Sequence, residues 1–99
     1  MLSRQMQRMN SEVNKFFTAI RDDSRISPVH ISLFMAVVQH WNDNNRKNPI
    51  CVFSKDLMRL AKISGVATYH KSIKELHEYG YIIYEPSFNQ FCGSLIYIQ

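Results

Sequence analysis

A mainly helical fold closed by a small β-hairpin is the class this sequence predicts, and three observations predict it. Apolar residues recur at helical spacing in four separate stretches, two β-branched and aromatic runs stand near the C-terminal end, and proline, glycine and asparagine punctuate the intervals between them. At 99 residues the chain has the size of one small domain, which buries roughly 65% of its unfolded surface and so holds a core without staples. Two segments are expected within it: residues 1–26 as an N-terminal amphipathic helix, and residues 27–99 as the main folded unit.

The first helix follows from Leu2, Met6, Met9, Val13, Phe16 and Ile20, which step by 4, 3, 4, 3 and 4 residues, a heptad-like stripe that Phe17 widens. It should end between Arg21 and Ser24, where polar residues cluster and Asp22-Asp23 closes it. Such a stripe serves either packing on the chain's own core or pairing with a second copy into a homodimer. Ser27-Pro28 reads as an N-cap followed by proline at the first helical position, where its missing N–H costs nothing. Ile31, Phe34, Val37 or Val38, and Trp41 hold one face of this second, central core helix, and Asn42 to Asn45 end it.

Pro49 precedes the short apolar run Ile50 to Phe53, which reads as a strand. Ser54 then caps a third helix, Ser54 to Lys62, with Asp56 in its first turn and Leu57, Leu60 and Ala61 facing inward. Ser64-Gly65 should break it, glycine being free to take positive φ. Val66, Tyr69, Ile73 and Leu76 step by 3, 4 and 3 and are expected on the buried side of a fourth helix, with Gly80 placed for a left-handed stop. Tyr81 to Tyr84 and Leu95 to Ile98 form the hairpin around a loop holding Pro86, Asn89 and Gly93.

This order, α-α-β-α-α-β-β, is that of a winged helix-turn-helix. In that arrangement the third helix braces the fourth, whose exposed face enters the DNA major groove while the hairpin lies beside it. With one face turned to the core, the residues of the 66–79 helix left outward are Ala67, Thr68, His70, Lys71 and Lys74, the expected base-facing set. Thr68 offers a hydroxyl or a methyl, the lysines reach guanine acceptors or phosphate, and Ala67 permits approach to a thymine methyl. Arg46, Lys47, Lys55, Arg59 and Lys62 supply cations for phosphates. The loop from Glu85 to Ser94 holds no lysine or arginine, so the hairpin brings no cation to a minor groove, and Asn89, Gln90 and Ser94 are left as neutral phosphate contacts.

The formal charge of +4 favours a polyanionic partner such as double-stranded DNA. The alternative is a protein-interaction module without direct DNA binding, docking through Phe88 and Phe91 or through the N-terminal stripe. No glycine-rich phosphate loop, nucleophile elbow or paired catalytic carboxylate occurs, so neither enzymatic activity nor a cofactor is expected. His70 and His77 stand seven residues apart, two turns rather than the one turn that lets two histidines hold one metal, and they read as surface or groove-edge residues. Met1, Met6, Met9, Met35 and Met58 read as gap-filling side chains. Cys51 and Cys92 fall in no metal-ligand or redox spacing and are expected to be reduced. No apolar run approaches the roughly 20 residues that span a bilayer, and Met1 to Asn10 lacks the apolar stretch of a signal peptide, so a cytoplasmic protein is expected.

At Gln39-His40-Trp41-Asn42-Asp43-Asn44, at Leu60-Ala61-Lys62-Ile63-Ser64, along Ala67-Thr68-Tyr69-His70-Lys71-Ser72-Ile73-Lys74-Glu75-Leu76-His77 and at Gly80-Tyr81-Ile82, the chain resembles winged helix-turn-helix transcriptional regulators of Bacteroidetes, some of them associated with mobile elements. The likeness covers Ser27 to Gln99. What it implies is DNA binding and regulation of genes or of an element. Gly65 departs from the pattern, which often has serine at the turn, so no capping or phosphate role is assigned there.

Overall fold

The computed structural model describes residues 4–87 and 91–98, with side chains from Ser11 onward. Seven elements follow in order: α1 (Arg4–Ile20), α2 (Pro28–Asp43), β1 (Ile50–Val52), α3 (Ser54–Ala61), α4 (Val66–Glu78), β2 (Ile82–Pro86) and β3 (Ser94–Ile98). The result is a small, mostly helical domain of four helices and a three-stranded antiparallel sheet in the order β1-β3-β2. Among the described residues no helix is long and apolar enough to cross a membrane.

Helix α2 starts as its sequence dictates, with Ser27 extended at the N-cap and Pro28 in the first turn. Leu33, Val37 and Val38 are fully buried, and Phe34 and Ala36 nearly so. Trp41 packs on this cluster only partly buried, and its indole N–H has no partner among the described residues. In one cluster with α2 are Phe16 of α1, Leu57 and Ala61 of α3, Tyr69, Ile73 and Leu76 of α4, and Ile50, Ile82, Ile96 and Ile98 of the sheet. Phe16 stacks on Phe34 with ring centroids 3.9 Å apart and planes 4° from parallel, and meets Tyr81 edge-on at 5.3 Å. Val13 and Ile20 pack beside it, so this half of the N-terminal stripe is used within the chain. Leu2 lies outside the described residues, as do the side chains of Met6 and Met9.

The helix ends show where local chemistry acts and where expectation is corrected. Gly80 takes φ +89°, with its N–H on the His77 carbonyl and that of Tyr81 on Leu76, the left-handed stop its position predicts. At the end of α3 the left-handed residue is Lys62, φ 62°, and not Gly65, which at φ −90° is the extended N-cap of α4. The Ile63 N–H reaches back to the Met58 carbonyl at 2.9 Å, and burial of Ile63 holds the turn closed. Ser54 is the first residue of α3 rather than its cap. The N-cap is Phe53, whose carbonyl accepts from both Asp56 and Leu57.

Two apolar residues expected inside are exposed. Leu60 is 45% accessible, because in so short a helix Leu57 and Ala61 already define the buried side and Leu60 projects away from it. Val66 is 59% accessible, since it stands at the leading end of α4, ahead of Tyr69, where the buried stripe begins.

In the sheet, Ile50 pairs with Ile96 and Val52 with Ser94, while Ile82 pairs with Ile98 and Pro86 with Ser94. The hairpin strands therefore run later in β2 and begin one residue earlier in β3 than their apolar cores suggest, and Tyr81 stays outside. Asn48 prolongs the β1–β3 ladder through its side chain, accepting from the Ile98 N–H at 3.1 Å and donating to its carbonyl at 2.9 Å. Cys51 and Cys92, expected as reduced thiols, are joined in a disulfide across 41 residues, Cα to Cα 5.3 Å. No local spacing signals this pair. The antiparallel ladder creates it by laying the chain that enters β3 beside β1. Gly93 completes the approach, for a Cβ there would meet the Phe53 ring at 2.8 Å and its Cα at 2.9 Å.

Phe16→Ala should cost about 3–5 kcal/mol in urea unfolding, since it empties the α1–α2 stack. Phe17→Ala, at a ring 41% exposed, should change stability by no more than about 0.5 kcal/mol.

Candidate nucleic-acid interface

Helix α4 has two faces. Tyr69, Ser72, Ile73 and Leu76 are buried, and at about 100° per residue they form one stripe facing α2. On the opposite side Ala67, His70, Lys71 and Lys74 are all exposed, with Thr68 exposed on the flank. The five expected base-facing residues are thus brought onto the outward surface of one helix. Glu78 falls on the same stripe, exposed at its C-terminal end, an acidic member the sequence reading passed over. Tyr69 anchors the helix at 1% exposure with no partner for its hydroxyl among the described residues, and burial pushes its phenol well above the usual tyrosine range.

Among the expected phosphate ligands, Lys55 and Arg59 are exposed on α3 and Lys62 in the turn that follows. These stand on the helix and turn leading directly into α4. Arg46 and Lys47 sit apart, on the α2–β1 loop. Lys47 is exposed, whereas Arg46 is partly buried, its guanidinium 6.0 Å from the Trp41 ring centroid with one amino group buried and without a partner among the described residues. Of the neutral contacts expected from the hairpin loop, Ser94 is buried within β3, which removes it from the surface. Asn89 and Gln90 lie outside the described residues.

A chain of polar contacts fixes how α4 is presented. The Ser27 N–H donates to Nδ1 of His30 at 2.9 Å, so that nitrogen is the acceptor and Nε2 carries the hydrogen given to Oε1 of Glu75 at 3.0 Å. The Tyr79 hydroxyl donates to Oε2 of Glu75 at 3.1 Å, and the Arg25 guanidinium covers the Tyr79 ring at 4.0 Å. Arg25 binds Asp23 through Nε and Nη2, each at 2.8 Å, and the Tyr81 hydroxyl donates to Asp23 at 2.6 Å. The α1–α2 turn, the start of α2, the end of α4 and the lead into β2 are thereby joined. His77 adds a tie on the other side, its Nδ1 accepting the Tyr84 N–H of β2 at 3.0 Å.

The charges respond accordingly. Burial would raise the Glu75 carboxyl, but the hydrogen bonds from His30 and Tyr79 outweigh it and hold Glu75 below its usual value. Asp23 lies well below the carboxylate range, held there by Arg25 first and by Tyr81 second. Burial, together with the bond to Asp23, pushes Tyr81 up to about 12. The sequence reading took Asp23 only as a helix-ending residue and missed this network. Its one local signal was the Glu75 to Tyr79 spacing of one helical turn.

Comparison with protein-family models, with curated proteins and with solved structures returns no significant match.

The surroundings of Asp23 and Tyr81, Arg25 foremost for the one and burial for the other, make stability pH-dependent at both extremes. Asp23, depressed in the folded chain, contributes fully above the ordinary carboxylate range, and its contribution is lost as pH falls through and below that range. Tyr81, raised, contributes fully below the ordinary tyrosine value and loses its contribution as pH climbs toward about 12. Asp23→Asn should flatten the acid limb of a thermal-stability profile and Tyr81→Phe the alkaline limb. Unchanged limbs in both variants would show that neither group carries such linkage.

Proposed function

We propose that this chain is a winged helix-turn-helix protein that binds double-stranded DNA as a transcriptional regulator and acts by occupying its site rather than by catalysis. The observation that carries the reading is the division of α4. Its apolar stripe is consumed by the core, while Ala67, Thr68, His70, Lys71 and Lys74 remain exposed, next to the cations of α3 and its turn. A helix of this kind fits the major groove, which is wide enough for one helix and displays distinguishable base edges. That the β2–β3 hairpin follows α4 in the β1-β3-β2 sheet supports reading it as a wing. The formal charge of +4 supports a polyanionic partner.

In this reading Thr68, Lys71 and Lys74 meet base edges while Lys55, Arg59 and Lys62 hold phosphates. Homodimerisation would draw on the stripe ahead of Val13, because Val13, Phe16 and Ile20 are already packed on this chain's core. Two copies related by a two-fold axis would read half-sites about one helical turn apart.

Duplexes selected from a random DNA pool test the reading. Affinity should fall by about 0.9 log unit per log unit of salt for each phosphate neutralised, and Lys71→Ala or Thr68→Ala should weaken the selected sites more than random duplex. Salt-insensitive or undetectable binding in a gel-shift titration overturns it. Lys62→Gly separates fold from contact. It relieves the left-handed lysine and should raise stability by about 1 kcal/mol, yet it should lower duplex affinity and reduce the salt slope by about one phosphate.

A second reading, docking of a protein partner, is favoured by Phe91, which is 80% exposed at the tip of the hairpin. Phe88, its expected companion, lies outside the described residues. A nuclease-resistant partner lost on joint Phe88→Ala and Phe91→Ala substitution would support this reading over the first.

A further inference from the structure

We propose that the Cys51–Cys92 disulfide is a thiol-exchange site that controls the β2–β3 loop, taking a small thiol as co-reactant, and that its reduction weakens duplex binding. The last clause rests on the DNA-binding reading above; the exchange site itself does not.

Three observations carry it. First, the two cysteines differ in exposure. Cys51 is exposed on β1 and lines an open cleft of about 390 Å³ with His40, Asp43, Asn44, Pro49 and Ile50, whereas Cys92 is 8% exposed. A thiol entering this cleft meets Cys51, and attack there expels Cys92. Second, neither cysteine belongs to the hydrophobic core cluster, and the Cys92 sulfur lies 3.7 Å from the Ser94 carbonyl oxygen. A thiol at Cys92 therefore has an acceptor in place. Third, the bond sits where it governs the loop. The β2–β3 ladder ends at Pro86 and Ser94, and the far end of the 87–93 loop is tied to β1 by Cys92 and to Phe53 by the packing of Gly93. Phe53 is also the N-cap of α3, which bears Lys55 and Arg59. Loop and bracing helix thus meet at this bond.

The chemistry balances. A thiolate attacks the Cys51 sulfur, the disulfide bond breaks, and Cys92 leaves as a thiolate that takes up a proton. A second thiolate attacks the small-molecule sulfur of the mixed disulfide, releasing Cys51 as a thiolate that is protonated in turn. Two small thiols are oxidised to one disulfide while the protein disulfide is reduced to two thiols. Freed of the tether, the stretch Phe91 to Gly93 samples more conformations, and binding must select the competent one.

The test compares the oxidised chain, the chain reduced with glutathione or dithiothreitol, and the joint Cys51→Ser, Cys92→Ser variant. Chymotryptic cleavage after Phe91 should quicken about tenfold on reduction, and affinity for duplexes from the selected pool should fall about threefold or more. Circular dichroism should remain unchanged. The double variant should match the reduced chain in all three readouts and ignore added thiol. In the Cys92→Ser chain treated with oxidised glutathione, mass spectrometry should find the adduct on Cys51. A disulfide that resists thiols until the chain is denatured, a chain that unfolds on reduction, or unchanged cleavage after full reduction overturns the exchange site. Faster cleavage with equal affinity overturns only the control of binding. Absence of duplex binding in both states overturns the functional reading together with that clause, and leaves the cleavage result to decide the exchange site.

Discussion

The burial of α2 is the constraint on which the rest of the structure depends. Leu33, Phe34, Ala36, Val37 and Val38 cover more of the helix circumference than one neighbour can shield. Apolar surface left in water costs roughly 25 cal/mol per Å². The chain therefore has to surround α2, and it does so with α1, α3, α4 and the sheet. In a domain this small each surrounding element touches the centre by a single face. The outward surfaces of α3 and α4 are a by-product of that geometry, because once Leu57 and Ala61, or Tyr69, Ile73 and Leu76, are placed, the opposite sides have nothing left to meet.

Apolar packing alone would leave the rotation of α4 about its own axis loosely set, since hydrophobic contact is non-directional. Direction comes from the polar chain running from Ser27 through His30, Glu75, Tyr79, Arg25 and Asp23 to Tyr81. Each hydrogen bond prefers a narrow geometry, and a partly buried carboxylate such as Glu75 is costly unless its oxygens are satisfied. Both of its oxygens are occupied, one by His30 and one by Tyr79. Residues that never face the exposed side thus determine which side is exposed.

This division explains what the sequence made legible. Elements whose cause lies within a few residues were readable: Ser27-Pro28 starting α2, Gly80 ending α4, and the 3-4-3 rhythm that buries Tyr69, Ile73 and Leu76. The outward set on α4 followed by subtraction, which is why all five members are exposed. What escaped depends on partners distant in sequence. The Cys51–Cys92 bond spans 41 residues, Asn48 pairs with Ile98, and Tyr81 finds Asp23 across 58 positions; none leaves a local spacing. Val66 and Leu60 were misplaced for a related reason. Periodicity reports which residues share a stripe, but not how far along the helix the neighbouring surface extends. Lys62 shows the converse limit: glycine is the residue most free to turn left-handed, yet burial of Ile63 and its bond to Met58 made a lysine do so while Gly65 stayed extended.

The distribution of charge gives the hairpin its own logic. Lys55, Arg59, Lys62, Lys71 and Lys74 lie on α3, its turn and α4, while Glu85 to Ser94 carries no cation. On the proposed reading, a lysine-bearing surface is drawn to a polyanion over several ångströms without strict geometry, since Coulomb attraction falls off slowly within a Debye length of about 8 Å. A neutral loop has no such reach, and its contribution depends on shape held in place before contact. Ordering a seven-residue connection between Pro86 and Ser94 costs conformational entropy. The covalent tie at Cys92 and the close approach of Gly93 to Phe53 provide order at the point where charge provides none. Long-range attraction thus belongs to the helices, and local shape to the hairpin.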